Sequence, residues 1–95
     1  MSSGARSDFK NITDYISGEF GILALSRFVI KFDRVLDIFA ESPMIYRIVF
    51  KKQKIRRCVL SKQCIIFFKV RGGIVEIVSI FDTRQDPRKI KTIIY

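Results

Sequence analysis

The stretch Cys64-Ile-Ile-Phe-Phe-Lys-Val-Arg-Gly-Gly-Ile-Val-Glu-Ile-Val-Ser-Ile-Phe-Asp-Thr-Arg-Gln-Asp86 decides the fold. Two runs rich in β-branched and aromatic residues flank a Gly-Gly pair, and this pattern predicts an antiparallel β-hairpin with a two-residue turn. The turn would place Arg71 opposite Ile74 and Lys69 opposite Glu76. The sequence therefore predicts a hairpin at the centre of a sheet, with its register set by the two glycines.

Both faces of this hairpin are predicted to be apolar. One face would hold Cys64, Ile66, Phe68, Val70, Val75, Ile77, Ser79 and Phe81. The other face would bring Ile65, Phe67, Val78 and Ile80 together. An antiparallel pair that is apolar on both sides needs cover on both sides. We expect helices to cover the first face and a binding partner to cover the second.

Composition limits the remaining possibilities. The chain has 95 residues, which suits one domain with a modest core, and its 48% hydrophobic content excludes a disordered chain. The longest apolar run, Cys64 to Phe68, is too short to span a membrane. Cys58 and Cys64 lack the spacing of a metal site, and the chain has no histidine. We expect buried free thiols, no metal, no cofactor, no membrane contact and a reducing, cytoplasmic environment.

Positive charge is concentrated in the second half of the chain. Residues 1–41 hold five basic and six acidic side chains, whereas residues 42–95 hold thirteen basic and three acidic ones, giving net charges of −1 and +10. One basic run contains Lys51, Lys52, Lys54, Arg56, Arg57 and Lys62, and a second contains Arg84, Arg88, Lys89 and Lys91. Such an asymmetry is typical of a protein that binds a polyanion or an acidic partner.

Apolar spacing predicts two helices before the sheet. The first helix begins near Ser7 or Asp8 and ends at Gly21, and the second runs from about Ile22 to Glu41. A link this short makes them an antiparallel helical hairpin. Residues 55–60 are predicted to form a further strand, after a loop with a short extended piece. Residues 1–4 are predicted to be a tag or a trimmed end, so that a single domain spans residues 5–95.

Three segments together resemble the RelE/ParE toxins of bacterial toxin–antitoxin modules. They are Ala5-Arg-Ser-Asp-Phe-Lys-Asn-Ile-Thr-Asp-Tyr-Ile16, then Ile55-Arg-Arg57, and finally Ile80-Phe-Asp-Thr-Arg-Gln-Asp-Pro87. The resemblance implies an α+β fold in which the helical hairpin packs on a twisted antiparallel sheet of three to four strands. The family usually opens with a β-strand, whereas here four residues precede Ala5. We therefore expect an unpaired strand edge.

The resemblance also implies a function and partners. We expect a toxin that inhibits growth, stabilises a plasmid, acts by poisoning DNA gyrase, and is neutralised by a cognate acidic antitoxin. The expected contacts with the target are Lys54, Arg56, Arg57, Arg84, Arg88 and Lys89. The expected contacts with the antitoxin are Ile65, Phe67, Lys69, Val78 and Ile80. Homo- or hetero-oligomers are compatible with this reading.

Two alternatives stay open at the level of sequence. The RelE branch consists of ribosome-dependent mRNA endonucleases, and a metal-independent ribonuclease needs proton-transfer groups beside cations that hold phosphate. The candidates here are Arg56, Arg57, Arg84 and Tyr95, with no histidine to assist them. For this reason we expect that the protein is not an enzyme. The second alternative is a nucleic-acid-binding module without toxicity.

Overall fold

A computed structural model describes residues 1–61 and 64–83, and it shows two helices packed on a four-stranded sheet. The elements are α1 (Ser3–Phe20), α2 (Ile22–Glu41), a short 3-10 helix (Pro43–Ile45), β1 (Ile48–Phe50), β2 (Ile55–Ser61), β3 (Cys64–Arg71) and β4 (Ile74–Asp82). The strand order is β1-β2-β3-β4, and every neighbouring pair is antiparallel. The predicted α+β class is confirmed.

The helical hairpin covers one face of the sheet with aromatic side chains. Gly21, at a φ of 88°, joins α1 to α2 without a longer loop. The ring of Phe9 packs on that of Phe32 with centroids 4.8 Å apart. Further along α2, Phe39 stacks on Phe68 of β3 at 4.3 Å. The predicted bounds of α2 are confirmed, and its phenylalanine stripe lies in the core.

The first helix begins earlier than expected, because Ser2 caps it. The Ser2 hydroxyl accepts a hydrogen bond from the Ala5 amide (3.1 Å) and donates one to the Val78 carbonyl (3.0 Å). The Ser2 amide donates to the Ile77 carbonyl (3.0 Å). Residues 2–4, which the sequence prediction left outside the domain, therefore contribute to the fold and attach α1 to the edge of β4.

Asp8 lies inside α1 and makes a second connection to the same edge. Its Oδ2 accepts hydrogen bonds from the Ser79 hydroxyl (3.1 Å) and from the Ile80 amide (3.0 Å). Between Ile77 and Ile80, polar groups of the N-terminal segment thus occupy the edge that we expected to be unpaired. That expectation is wrong for this part of β4.

The β3–β4 register agrees with the prediction near the turn and departs from it further away. Arg71 pairs with Ile74 and Lys69 with Glu76, as predicted, and Gly72-Gly73 have φ values of 57° and 78°. The register then shifts, because Phe68 pairs with Ile77 whereas Phe67 pairs with Ser79. Val78 is thus the extra residue of a β-bulge, and beyond it the two faces of β4 are exchanged.

The bulge corrects the predicted outer face. Ile80, expected there, pairs with Ile66 in the core beneath the helices and is 3% exposed. Phe81, expected on the helix side, instead joins Ile55 and Phe67 in a second buried cluster on the opposite face. A bulge interrupts the alternation of a strand, but residues 77, 78, 80 and 81 are all apolar, so the interruption cannot be recognised from the sequence.

Candidate functional site: the basic arm

Residues 47–57 form a hairpin at the β1 edge of the sheet, which we call the basic arm. It consists of Arg47, strand β1, a four-residue turn and the beginning of β2. The turn closes with a hydrogen bond from the Lys54 amide to the Lys51 carbonyl (3.2 Å). Lys54 has a φ of 56°, a left-handed conformation that costs a residue with a Cβ roughly 1–2 kcal/mol. A lysine therefore occupies a position that favours glycine.

No carboxylate neutralises the arm from nearby in sequence. The chain has no acidic residue between Ser42 and Val75, whereas the arm carries Arg47, Lys51, Lys52, Lys54, Arg56 and Arg57. All of these cations are exposed except Arg56, which is half-buried. Among residues 1–61 and 64–83, the ion pair within 4.0 Å joins Lys10 to Asp14 on α1. Within the part of the chain that the structure describes, the arm is consequently a surface of positive charge without a carboxylate partner.

Arg56 and Arg57 point to opposite faces of β2, as their adjacent positions require. The Nη1 of Arg56 donates to the Tyr46 carbonyl (2.6 Å), and the Tyr46 ring packs edge-on against Phe39 (5.0 Å). Arg56 thus ties β2 to the segment before β1, which is a structural role. Arg57, by contrast, is exposed.

Arg57 lies directly opposite Arg47. The Arg57 amide donates to the Arg47 carbonyl (3.1 Å), which continues the pairing of Ile48 with Arg56. Residues directly opposite each other in an antiparallel pair share a face, with Cβ atoms about 5 Å apart. Two arginines at these positions repel each other, so the arrangement favours an anion between them.

The predicted target contacts are therefore partly brought together. Lys54, Arg56 and Arg57 all lie on the arm, although Arg56 is engaged with a carbonyl. Arg84, Arg88, Lys89 and Tyr95 lie outside the described residues. Arg47, Lys51 and Lys52 were not named as contacts, although the unbroken basic run containing the two lysines was the signal that could have identified them.

Three titratable side chains on or near β2 have pKa values above their ordinary ones. Burial raises the pKa of the Cys58 thiol, with a hydrogen bond from Tyr46 opposing part of that effect. Burial and the neighbouring Cys58 also raise the pKa of Tyr46. Burial, assisted by Asp82 and Cys58 and opposed by Lys31, raises the pKa of Cys64 to about 12. These three groups stay protonated near neutral pH, so the arm offers anion binding without a proton acceptor from this cluster.

Other parts of the described chain offer little further chemistry. Within residues 1–61 and 64–83, no group of three His, Cys, Asp or Glu side chains lies close enough together to hold a metal ion. A cavity of about 400 Å³ lies between α2 and the β3–β4 turn, and its lining is apolar: Met1, Leu36, Phe39, Ala40, Gly73, Val75 and Ile77. No described helix is long and apolar enough to cross a membrane.

The five expected antitoxin contacts do not form one exposed patch. Phe67 and Ile80 are buried, at 4% and 3% exposure, and they belong to different clusters. Ile65, Lys69 and Val78 are half-buried. Only these last three are accessible in the structure, and their role in binding an antitoxin stays a prediction.

Comparison with known proteins identifies the family of the chain. No curated protein matches the chain. The profile that describes the ParE toxin of the type II toxin–antitoxin system, parDE, matches residues 1–87, which include both helices and all four strands. The match agrees with the helical hairpin on an antiparallel sheet that the residues predict. The chain belongs to the ParE toxin family of type II toxin–antitoxin systems.

Proposed function

We propose that this toxin inhibits bacterial growth by poisoning DNA gyrase in the cytoplasm, and that a cognate acidic antitoxin neutralises it. The observation that supports the proposal is the basic arm, whose cations lack carboxylate partners among residues 1–61 and 64–83, in a chain of the ParE family. Such a surface suits binding to an anionic target, for which gyrase bound to DNA is the candidate.

The arm is better suited to binding than to RNA cleavage. Cleavage through the 2′-hydroxyl needs a group that accepts its proton and a group that protonates the leaving oxygen. The chain has no histidine, and burial raises the pKa values of Tyr46, Cys58 and Cys64 rather than lowering them toward neutrality. Arg56, a catalytic candidate by sequence, donates to the Tyr46 carbonyl instead.

The charge distribution also supports an acidic antitoxin. Family membership implies an antitoxin partner, and the second half of this chain carries the whole positive excess. Opposite charge on the partner would speed association and fix its orientation. We place its apolar contacts around Ile65 and Val78, with a carboxylate facing Lys69, because these residues remain accessible on β3 and β4.

Three measurements made side by side test the proposal. Inducible expression of the chain should stop the growth of a bacterium, and coexpression of the acidic protein encoded in the neighbouring reading frame should restore it. The purified toxin should inhibit supercoiling by gyrase and leave mRNA on translating ribosomes intact. The matched control is the same toxin mixed with equimolar antitoxin, which should leave both supercoiling and the mRNA unaffected.

The alternatives predict different results in the same assays. A RelE-like endonuclease would cleave translated mRNA while supercoiling continued, and deletion of Tyr95 would then abolish both cleavage and toxicity. A nucleic-acid-binding module would leave growth, supercoiling and mRNA unaffected. Either pattern contradicts the proposed function.

A further inference from the structure

We propose that Arg47 and Arg57 form a phosphate clamp through which the basic arm binds the backbone of duplex DNA directly. The proposal begins with their cross-strand geometry. The Arg57 amide donates to the Arg47 carbonyl (3.1 Å), so the two guanidinium groups start from directly opposite backbone positions. Both side chains are exposed, and the nearest acid in sequence after Arg57 is Glu76.

The two facing arginines are electrostatically unfavourable by themselves. Like charges directly opposite each other destabilise an antiparallel pair. Two arginines can each present a planar fork of donors to phosphate oxygens. A phosphate between Arg47 and Arg57 would replace their mutual repulsion with two attractive contacts. The arm is thus arranged for an external anion rather than for its own stability.

The length of the arm fits several phosphates of one strand. Lys54, the last residue of the turn, precedes Arg57 on β2 by three residues, a separation of at most ~10 Å along the chain. One strand of B-DNA carries a phosphate for each ~3.4 Å along the helix axis, so this length matches about three phosphates. Lysines at the turn, namely Lys51, Lys52 and Lys54, would then contact phosphates beyond the clamp.

The aromatic rings of Phe50 on the arm and of Tyr46 just before it argue for a duplex rather than a single strand. Proteins that bind single-stranded nucleic acid typically stack bases on accessible aromatic side chains. Here Phe50 lies edge-on to Phe67 (6.0 Å), and Tyr46 packs against Phe39 (5.0 Å) and Phe68 (5.6 Å). These rings are already packed in the fold. What the arm offers is therefore backbone contact without base stacking, which suits a duplex.

The choice of DNA over RNA rests on the proposed function, because gyrase acts on DNA. With this clamp, the toxin would bind both gyrase and the DNA on which gyrase acts. Binding to DNA can be measured without gyrase, so failure of the clamp and failure of the proposed target are separable.

The test compares two double variants of the full chain, Arg47→Gln/Arg57→Gln and Arg27→Gln/Arg34→Gln. The second pair is exposed on α2 and removes the same net charge, which makes it the matched control. Binding to a 20-bp duplex is followed by fluorescence anisotropy across a salt series. The logarithm of the affinity falls with the logarithm of salt by about 0.9 for each phosphate contact. Because the clamp holds one phosphate, the clamp variant should lose about 0.9 from this slope, and the control much less.

Two further measurements test whether the arginines stabilise the fold and whether the arm prefers duplex DNA to other polyanions. The melting temperature of the clamp variant at low salt should equal or exceed that of the unmodified protein, because repulsion is removed; a lower value would mean that the arginines are structural. A 20-nucleotide single-stranded RNA and poly-glutamate serve as competitors for the duplex. The proposal would be overturned if the salt slope changed equally in both variants. It would also be overturned if the RNA bound more tightly than the duplex, or if poly-glutamate of equal total charge displaced the duplex.

Discussion

In the β3–β4 hairpin Lys69 lies opposite Glu76, whereas in the β1–β2 hairpin Arg47 lies opposite Arg57. The first hairpin turns through Gly72-Gly73, which accept positive φ at no steric cost, and the second turns through a lysine at a φ of 56°. Side chains of β3 and β4 supply most of the core, whereas those of the arm are largely exposed.

The difference indicates where the chain favours stability and where it favours binding. Opposite charges and glycines at left-handed positions both stabilise a hairpin. Like charges and a strained lysine do the reverse, and such local conflicts are commonly retained at functional sites. The arm carries both conflicts within eleven residues, 47–57. We therefore interpret the β3–β4 hairpin as the scaffold and the β1–β2 hairpin as the part that meets the target.

The largest effect should come from breaking the scaffold at Phe68. This ring is fully buried and stacks on Phe39 at 4.3 Å. Phe68→Ala should lower the free energy of unfolding by about 3–5 kcal/mol, through lost burial and the cavity left behind. Urea unfolding followed by circular dichroism measures this loss. Arg57→Gln is the contrasting variant, and an equal loss there would contradict the division into scaffold and arm.

Alkaline pH should weaken the scaffold through Cys64. Burial raises the pKa of this thiol to about 12, above an unfolded value near 9. The folded state therefore binds the thiol proton more tightly than the unfolded state. The resulting contribution to the free energy of unfolding is fully present below pH 9 and is lost as the pH rises toward 12. We expect a loss on the order of a few kcal/mol over this window. Urea unfolding at pH 8 and 10.5 measures this loss, which should be smaller in Cys64→Ala than in the unmodified protein. An equal loss in both proteins would mean that Cys64 does not cause the pH dependence.

The connection between α1 and the edge of β4 should depend on Asp8. Its carboxylate accepts from the Ser79 hydroxyl and from the Ile80 amide, and both donors lie in a largely buried part of β4. Asp8→Ala leaves these donors without that acceptor and should lower the free energy of unfolding by about 1–3 kcal/mol. Asp14→Ala, which breaks an exposed pair with Lys10, is the control and should change stability by less than about 1 kcal/mol. Equal losses would remove the role assigned to Asp8.

Substitutions at the two turns should have the smallest effects on the free energy of unfolding, and the two effects should have opposite signs. Lys54→Gly should raise the free energy of unfolding by about 1 kcal/mol, because it relieves the strain at a φ of 56°. Gly73→Ala, at a φ of 78° with no atom within 4 Å of the added Cβ, should lower it by about 1–2 kcal/mol through backbone strain alone. Thermal unfolding of both variants measures the pair. If Lys54→Gly were less stable than the unmodified protein, the Lys54 side chain would be stabilising the fold.

The sequence predicted those features that depend on local pattern. Gly72-Gly73 set the register near the turn, and apolar spacing predicted the bounds of α2. The opposite orientations of Arg56 and Arg57 followed from the alternation of a strand. Each of these depends on residues close together in the chain, where spacing alone is informative.

Features that depend on distant contacts were missed. The bulge at Val78 moves Ile80 into the core, and its neighbours along β4 gave no sign of an extra residue. Ser2 looked uninformative, because its value as a cap depends on β4 lying beside it, more than seventy residues away. The Arg47–Arg57 pair was missed for the same reason, since β1 is only three residues long and its register follows from the fold.

Inhibition of gyrase supercoiling by the unmodified toxin and by the two double variants tests the central claim most directly. Because the arm is interpreted as the part that meets the target, Arg47→Gln/Arg57→Gln should raise the toxin concentration needed for half-inhibition at least about tenfold, which corresponds to ~1.4 kcal/mol. Arg27→Gln/Arg34→Gln, with the same change in charge on α2, should stay within about twofold. Equal inhibition by both variants, or a larger loss in the α2 variant, would contradict the account.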